Sequence, residues 1–285
     1  MSFMFSSKTS VLFITPMMLQ LYEVVQGRST TSTLVHAIET KGRAFAEVMS
    51  ELSEVLLALG HETRLLVSDT WIYVTALRNE PAPAKTLEEV IEKAHSFFPE
   101  SLSETLWDYG LVQDHEGRHI LEIAAVVKRF NDRLQKITEA TGIEFTSIEP
   151  VSLALARQLV DEPPYLLIYQ SKEEQLCVLG EGETVWASRQ ATESISEQLL
   201  RSLLEYAASQ RVKVIQILVH TSREQLPTQF LGLPLTKVLL DPVASTALRQ
   251  TRKPSDPQSI FLQPAQLAAN QASSLLSSLT RFFKR

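Results

Sequence analysis

The reactive side chains of this sequence could serve metal binding, nucleophilic attack or phosphate handling. The histidines, His36, His61, His95, His115, His119 and His220, are scattered. His115 and His119 stand four apart, the spacing that aligns two imidazoles on a helix. Gly117 lies between them in the polar run QDHEGRH, so the pair reads as exposed residues of a hairpin turn. His220 closes an apolar run and either meets a ligand in a cleft or is satisfied by backbone. Cys177 is the single cysteine; it lies in an apolar run and reads as a buried thiol. No G-x-S-x-G elbow occurs, and Ser222 and Ser68-Asp69 read as turn residues or helix caps. The adjacent acids Glu88-Glu89 and Glu173-Glu174 point apart in regular structure and read as solvated.

Phosphate binding needs converging main-chain N–H groups, which glycine-rich turns supply. The stretch VLFITPMMLQLYEV reads as two apolar strands around the turn Thr15-Pro16-Met17, a shape that cradles phosphate in many proteins. Proline has no N–H to donate, Met17 and Met18 add bulk, and no carboxylate stands in the turn to hold a metal. The glycines, Gly27, Gly42, Gly60, Gly110, Gly117, Gly142, Gly180, Gly182 and Gly232, form neither G-x-G-x-x-G nor G-x-x-x-x-G-K-[ST]. No metal and no cofactor are expected.

The elements that position these residues follow from hydrophobic spacing. Strands are predicted over 11–15, 18–25 and 32–38, then an amphipathic helix whose Phe45, Val48, Met49, Leu52, Val55, Leu56 and Leu59 recur at three and four and which Gly60 stops. The strand TRLLVS follows. The second half repeats the order, with strands over 164–169, 175–180 and 184–189, a helix over 192–209 and a strand over 212–220; Gly180-Glu181-Gly182 supplies a hairpin turn. Two βββαβ units of this kind imply an internally duplicated α/β protein.

Between them lies an insert. Thr86 and Glu89 form a capping box opening a helix over 86–98. Strands TLWDYGLV and HILEIAAVV come next, then a helix with Phe130, Leu134 and Ile137 inward and Gly142 as its stop. This is an αββα module, and the preceding strand TWIYVTAL is expected to join its sheet. Asp241-Pro242 starts a short helix, and TRKPSDPQS reads as a linker. The expected division is a first lobe over 10–69, an inserted αββα subdomain over 70–147, a second lobe over 148–249, a linker over 250–263 and a C-terminal amphipathic helix over 264–285.

At 285 residues with 44% apolar and 21% charged residues, the composition is that of a soluble globular chain. No apolar run approaches the roughly 20 residues that cross a bilayer, and MSFMFSSKTS lacks a signal-peptide core, so a cytoplasmic protein is expected. The net charge of -6 divides unevenly: residues 249–285 carry +5 and residues 1–248 carry -11, which disfavours nucleic acid as a partner of the body. In the tail, Leu275, Leu276, Leu279, Phe282 and Phe283 beside Arg281, Lys284 and Arg285 could lie on an anionic membrane or pack on the body or another protomer. Trp71, Trp107 and Trp186 lie in strand-like runs and read as core, with an aromatic groove for a partner peptide as the other reading.

The duplicated units and the insert resemble the actin-like ATPase fold, in the subdomain arrangement of the cell-division protein FtsA. The insert is similar to that of PilM-type proteins of type IV pilus assembly and, more distantly, to the cytoplasmic domain of GspL in type II secretion. The resemblance rests on LWDYGLV with Asp108-Tyr109, on ILEIAAVVKRFNDRLQKITEATGIEFTSIEP, in which a helix ends at Gly142 before a returning strand, and on VSLALARQL with Ala154, Leu155 and Arg157. It implies a two-lobed fold in which ATP-binding members place an acid and a glycine in the first turn and a similar turn in the second half. The matching turns here are Thr15-Pro16-Met17, Tyr169-Gln170-Ser171 followed by Lys172, and His220-Thr221-Ser222, and none keeps the pattern. The resemblance then implies a non-catalytic adaptor, peripheral at the inner face of the cytoplasmic membrane. It would hold the cytoplasmic tail of a PilN-like membrane protein in a groove near TRLLVSDTWIYV and the helix over 86–98, with self-association possible in principle. GspL-type chains continue into a transmembrane helix, whereas this sequence stops at Arg285. The alternative is a divergent ATPase or phosphotransferase of the same fold.

Overall fold

The computed structural model describes residues 7–26, 30–59, 63–78, 89, 97–100, 105–113, 119–141, 145–191, 195–222 and 229–248. In chain order the elements are β1 (Ser7–Ile14), β2 (Met18–Gln26), β3 (Thr31–Glu39), α1 (Phe45–Leu59), β4 (Thr63–Val67), β5 (Ile72–Arg78), β6 (Trp107–Gln113), β7 (His119–Val126), α2 (Lys128–Thr141), β8 (Phe145–Pro150) and α3 (Val151–Ala156). The second half adds β9 (Tyr165–Gln170), β10 (Gln175–Glu181), β11 (Thr184–Gln190), α4 (Glu197–Ser209), β12 (Gln216–His220), β13 (Gln229–Phe230), β14 (Leu233–Lys237) and α5 (Pro242–Leu248).

The first sheet has the order β3-β2-β1-β4-β8. Its central strands are the apolar ones because both of their faces are covered: Val11, Leu12, Phe13 and Ile14 of β1 and every residue of β4 are buried. The second sheet contains the same order, β11-β10-β9-β12-β14, so the duplication expected from βββαβ spacing extends to a fifth strand in each lobe. β13 and β14, where no strand is predicted, are short, and β14 contains Pro234, so they carry little periodicity.

Each fifth strand runs into a short helix, and the two sequences match: Ile148-Glu149-Pro150-Val151 enters α3 and Leu240-Asp241-Pro242-Val243 enters α5. The helices pack on one another where the lobes meet. As expected, Asp241 caps α5, accepting from the Ala244 N–H at 3.0 Å. Asp69, read as a cap or a turn residue, accepts from the Ser152 N–H at 3.0 Å at the start of α3. The interface is polar. Gln158 and Asp241 bond reciprocally (Gln158 Nε2 to Asp241 O, 3.2 Å; Asp241 N–H to Gln158 Oε1, 3.0 Å), and Arg64 donates to the Thr246 and Ala247 carbonyls at 3.0 and 3.2 Å.

The insert does not form a sheet of its own. β5, β7 and β6 pair antiparallel and continue the second lobe's sheet to nine strands, β5 meeting β11 at the paired residues Ala187 and Thr75. Beside that seam the buried Glu122 of β7 accepts the Val185 N–H at 2.7 Å. On the other side of the insert, α2 packs against α1 through Phe130, Leu134 and Ile137, as their spacing predicts. β8 then returns beside β4 in the first sheet, so residues from 145 onward are first-lobe structure before the chain crosses to the second lobe.

Two local corrections have physical causes. The helix expected from 192 starts at Glu197, because Ser196 caps it by accepting the Leu199 N–H at 3.2 Å. The hairpin turn expected at Gly180-Glu181-Gly182 lies one residue later: β10 runs through Glu181, and Gly182 takes φ +55°. Gly180 is instead a strand residue facing Tyr165, where a Cβ would lie 2.4 Å from the ring. Gly180→Ala is therefore expected to cost about 1–3 kcal/mol by overpacking, read as a lower urea midpoint with an unchanged m-value.

Residues 249–285, with the linker and the terminal helix expected there, lie outside the described residues, as do 114–118 of the QDHEGRH turn and most of 86–98. Among the described residues no helix is long and apolar enough to cross a membrane.

Candidate functional site

The two hairpin turns at the heads of the lobes are built alike. In the first, the Thr15 hydroxyl accepts from the Met17 and Met18 N–H groups at 3.4 and 3.0 Å, and the Thr15 N–H donates to the Met18 carbonyl at 2.9 Å. In the second, the Ser171 hydroxyl accepts from the Glu173 and Glu174 N–H groups at 3.2 and 3.0 Å, and the Ser171 N–H donates to the Glu174 carbonyl at 2.9 Å. A threonine and a serine at equivalent positions thus bond the amides of their own turns. Pro16 contributes no amide at all.

His220 Nδ1 accepts the Leu240 N–H at 3.0 Å and its ring stacks on Tyr169 at 4.7 Å, which is the backbone-satisfied reading of this histidine. Burial holds its pKa below the usual imidazole range.

Between the first and second turns the structure overturns one expectation. Glu174, read as solvated, is 2% exposed, because the turn of the second lobe abuts the end of β4 in the first. Its carboxylate accepts from the Ser68 hydroxyl at 3.0 Å, and Ser68 in turn accepts from Gln190 Nε2 at 3.3 Å. Burial first, and then the charge of nearby Asp69, push Glu174 up to about 8. Burial likewise raises Asp69. Ser68 is fully buried at the centre of these bonds, as a structural turn residue would be. Cys177 is buried, as expected, and burial pushes its thiol up to about 12.

A cleft of ≈ 520 Å³ runs between the first hairpin turn, the β3–α1 connection, α1, Trp71 and α2. Its floor is apolar: Ile14, Leu19, Val48, Met49 and Ile137 are buried there, and Met17 stands at the mouth, 56% exposed. Trp71 stacks on Phe130 with ring centroids 5.4 Å apart, and the Arg133 guanidinium lies 5.2 Å from the Trp71 ring. Of the three tryptophans, Trp186 is core, whereas Trp71 lines the cleft. Trp71, in the run TRLLVSDTWIYV near which a groove is expected, lines this cleft, and α2 forms one of its walls; most of the helix expected over 86–98 lies outside the described residues. Only the fold could reveal this, because α2 and the first turn are more than 100 residues apart. Among the described residues, no group of three or more His, Cys, Asp or Glu side chains could hold a metal ion.

The strand order, its repetition and the sheet-extending insert define a two-lobed, internally duplicated actin-like fold. Among solved structures the chain is similar to the PilM–PilN type IV pilus biogenesis complex, with 17% identity and a TM-score of 0.57 over 87% of this chain and 93% of that one. It is also similar to the cytoplasmic domain of EpsL, an inner-membrane component of the type II secretion system of Vibrio cholerae, with 14% identity and a TM-score of 0.53 over 84% and 93% of the two chains. At these identities the likeness is one of fold. No protein-family model matches the chain, and no curated protein sequence does.

Proposed function

We propose that this protein is a non-catalytic, actin-like scaffold of a pilus or secretion assembly that receives the cytoplasmic tail of a PilN-like inner-membrane protein in the cleft between its first lobe and α2. The observation that carries the proposal is the contrast between the turns and the cleft. The hairpin turns that would cradle a triphosphate spend their amides internally, while an apolar-floored cleft beside the first turn stays open. Clefts of several hundred Å³ with apolar floors and few polar groups suit side-chain anchors of a peptide. The fold shared with the PilM–PilN type IV pilus biogenesis complex supports the choice of occupant.

Titration calorimetry with Mg-ATP on the full chain is expected to show no binding up to millimolar nucleotide. Micromolar binding would retire the scaffold reading in favour of a divergent ATPase. Capture experiments should retain membrane-protein tails on the full chain and lose them on Met17→Arg, which alters an exposed side chain at the cleft mouth. Retention by the variant would place docking elsewhere.

A further inference from the structure

The cleft carries a charge asymmetry that names the chemistry of its occupant. The protein body is acidic, -11 over residues 1–248, yet no carboxylate occurs among the described residues lining the cleft. Four cations do: Lys41 and Arg43 on the β3–α1 side, and Arg133 and Lys136, one helical turn apart, on α2. Arg43 is paired with Glu51 at 2.8 Å. Lys41, Arg133 and Lys136 have no ion-pair partner among the described residues, and all three are exposed.

Like charges on facing walls of one cleft repel, and the repulsion is relieved when carboxylates enter between them. The apolar floor asks at the same time for apolar side chains, which a small inorganic anion lacks. We infer that the segment seated here is an acidic peptide, in which Asp or Glu residues flank apolar anchors. The inference rests on the docking reading above and adds the partner's charge to it. The same argument excludes this chain's own C-terminal stretch, whose Arg281, Lys284 and Arg285 carry the sign of the cleft.

The test selects dodecapeptides from a random displayed library on the immobilised full chain and measures synthesised winners by fluorescence anisotropy. Winners are expected to combine apolar residues with at least about a threefold excess of Asp and Glu over Lys and Arg. Their Kd should weaken about tenfold on the charge-reversed Arg133→Glu/Lys136→Glu variant and again at high salt, as exposed charge pairs do. Both positions are solvent-exposed on α2, so the variant is expected to fold, with a melting temperature lowered only by the loss of the Arg133–Trp71 contact. Winners whose acids are replaced by lysine should bind the reversed variant better than the original chain.

Peptides that are lost on Met17→Arg but show no acidic excess, and that bind the reversed variant unchanged, overturn the acidic partner while leaving cleft docking intact. An absence of winners, or winners indifferent to Met17→Arg, overturns the docking reading and this inference with it. Displacement of a winner by a synthetic 264–285 peptide overturns the charge argument and assigns the cleft to the chain's own tail.

Discussion

Arg157→Ala is expected to destabilise the protein by about 3–5 kcal/mol, the cost of leaving a buried carboxylate without its counter-charge. The carboxylate is Glu149, whose side chain is 1% exposed, and Arg157 is its ion-pair partner. Glu149 also accepts from the Thr246 hydroxyl at 2.9 Å, while Arg157 donates to the Ser245 carbonyl at 3.3 Å, so the pair ties the first-lobe helix α3 to the second-lobe helix α5. Burial lowers Arg157 to about 10, which leaves it charged at neutral pH. Chemical denaturation checks the prediction. Combining Arg157→Met with Glu149→Gln should recover most of the loss, because no unpaired charge then stays buried. A loss below about 1 kcal/mol for Arg157→Ala would mean that water screens the pair as it does at a surface.

The second large effect is a fall in stability with rising pH. Glu174 and Glu122 are both pushed from 4.5 up to about 8, chiefly by burial. Above about pH 4.5 the unfolded chain has released both protons while the folded chain still holds them, so folding takes up protons across this interval. The stabilisation from the raised pKa values is fully present below about 4.5 and is lost as the pH passes through about 8. At 1.36 kcal/mol per pH unit the upper figure is roughly 4–5 kcal/mol for each group. Thermal unfolding should therefore show a Tm that declines from mildly acidic to mildly alkaline buffer. Glu174→Gln, which keeps the acceptor for Ser68 without the charge, should flatten the profile by about half and raise Tm at the alkaline end. A variant that follows the parent curve at every pH would show that Glu174 stays ionised in the folded chain.

Both effects come from side chains whose partners the sequence reading does not give, Glu174 being read there as solvated and Arg157 only as part of a resemblance. Glu174 sits in a polar run, SKEEQ, whose local pattern is that of a solvated turn. It is buried because Ser68, 106 positions earlier, closes on it. Arg157 and Glu149 lie in a stretch whose match to Leu240-Asp241-Pro242-Val243 was visible in the sequence, and that match was the available signal that the two helices are equivalents.

What the sequence determined by itself was everything that depends on neighbours within a few positions. Alternation and three-four spacing gave the strands and helices of both βββαβ units, and the caps at Asp241 and Asp69 fell on residues suited to them. The tertiary structure alone decided which distant segments meet. It ran the insert's strands into the second lobe's sheet, buried Glu174 against Ser68, and set α2 beside the first hairpin turn to leave a basic, apolar-floored cleft. Local spacing records which face of an element must leave water; it carries no record of which partner, a hundred residues away, will cover that face.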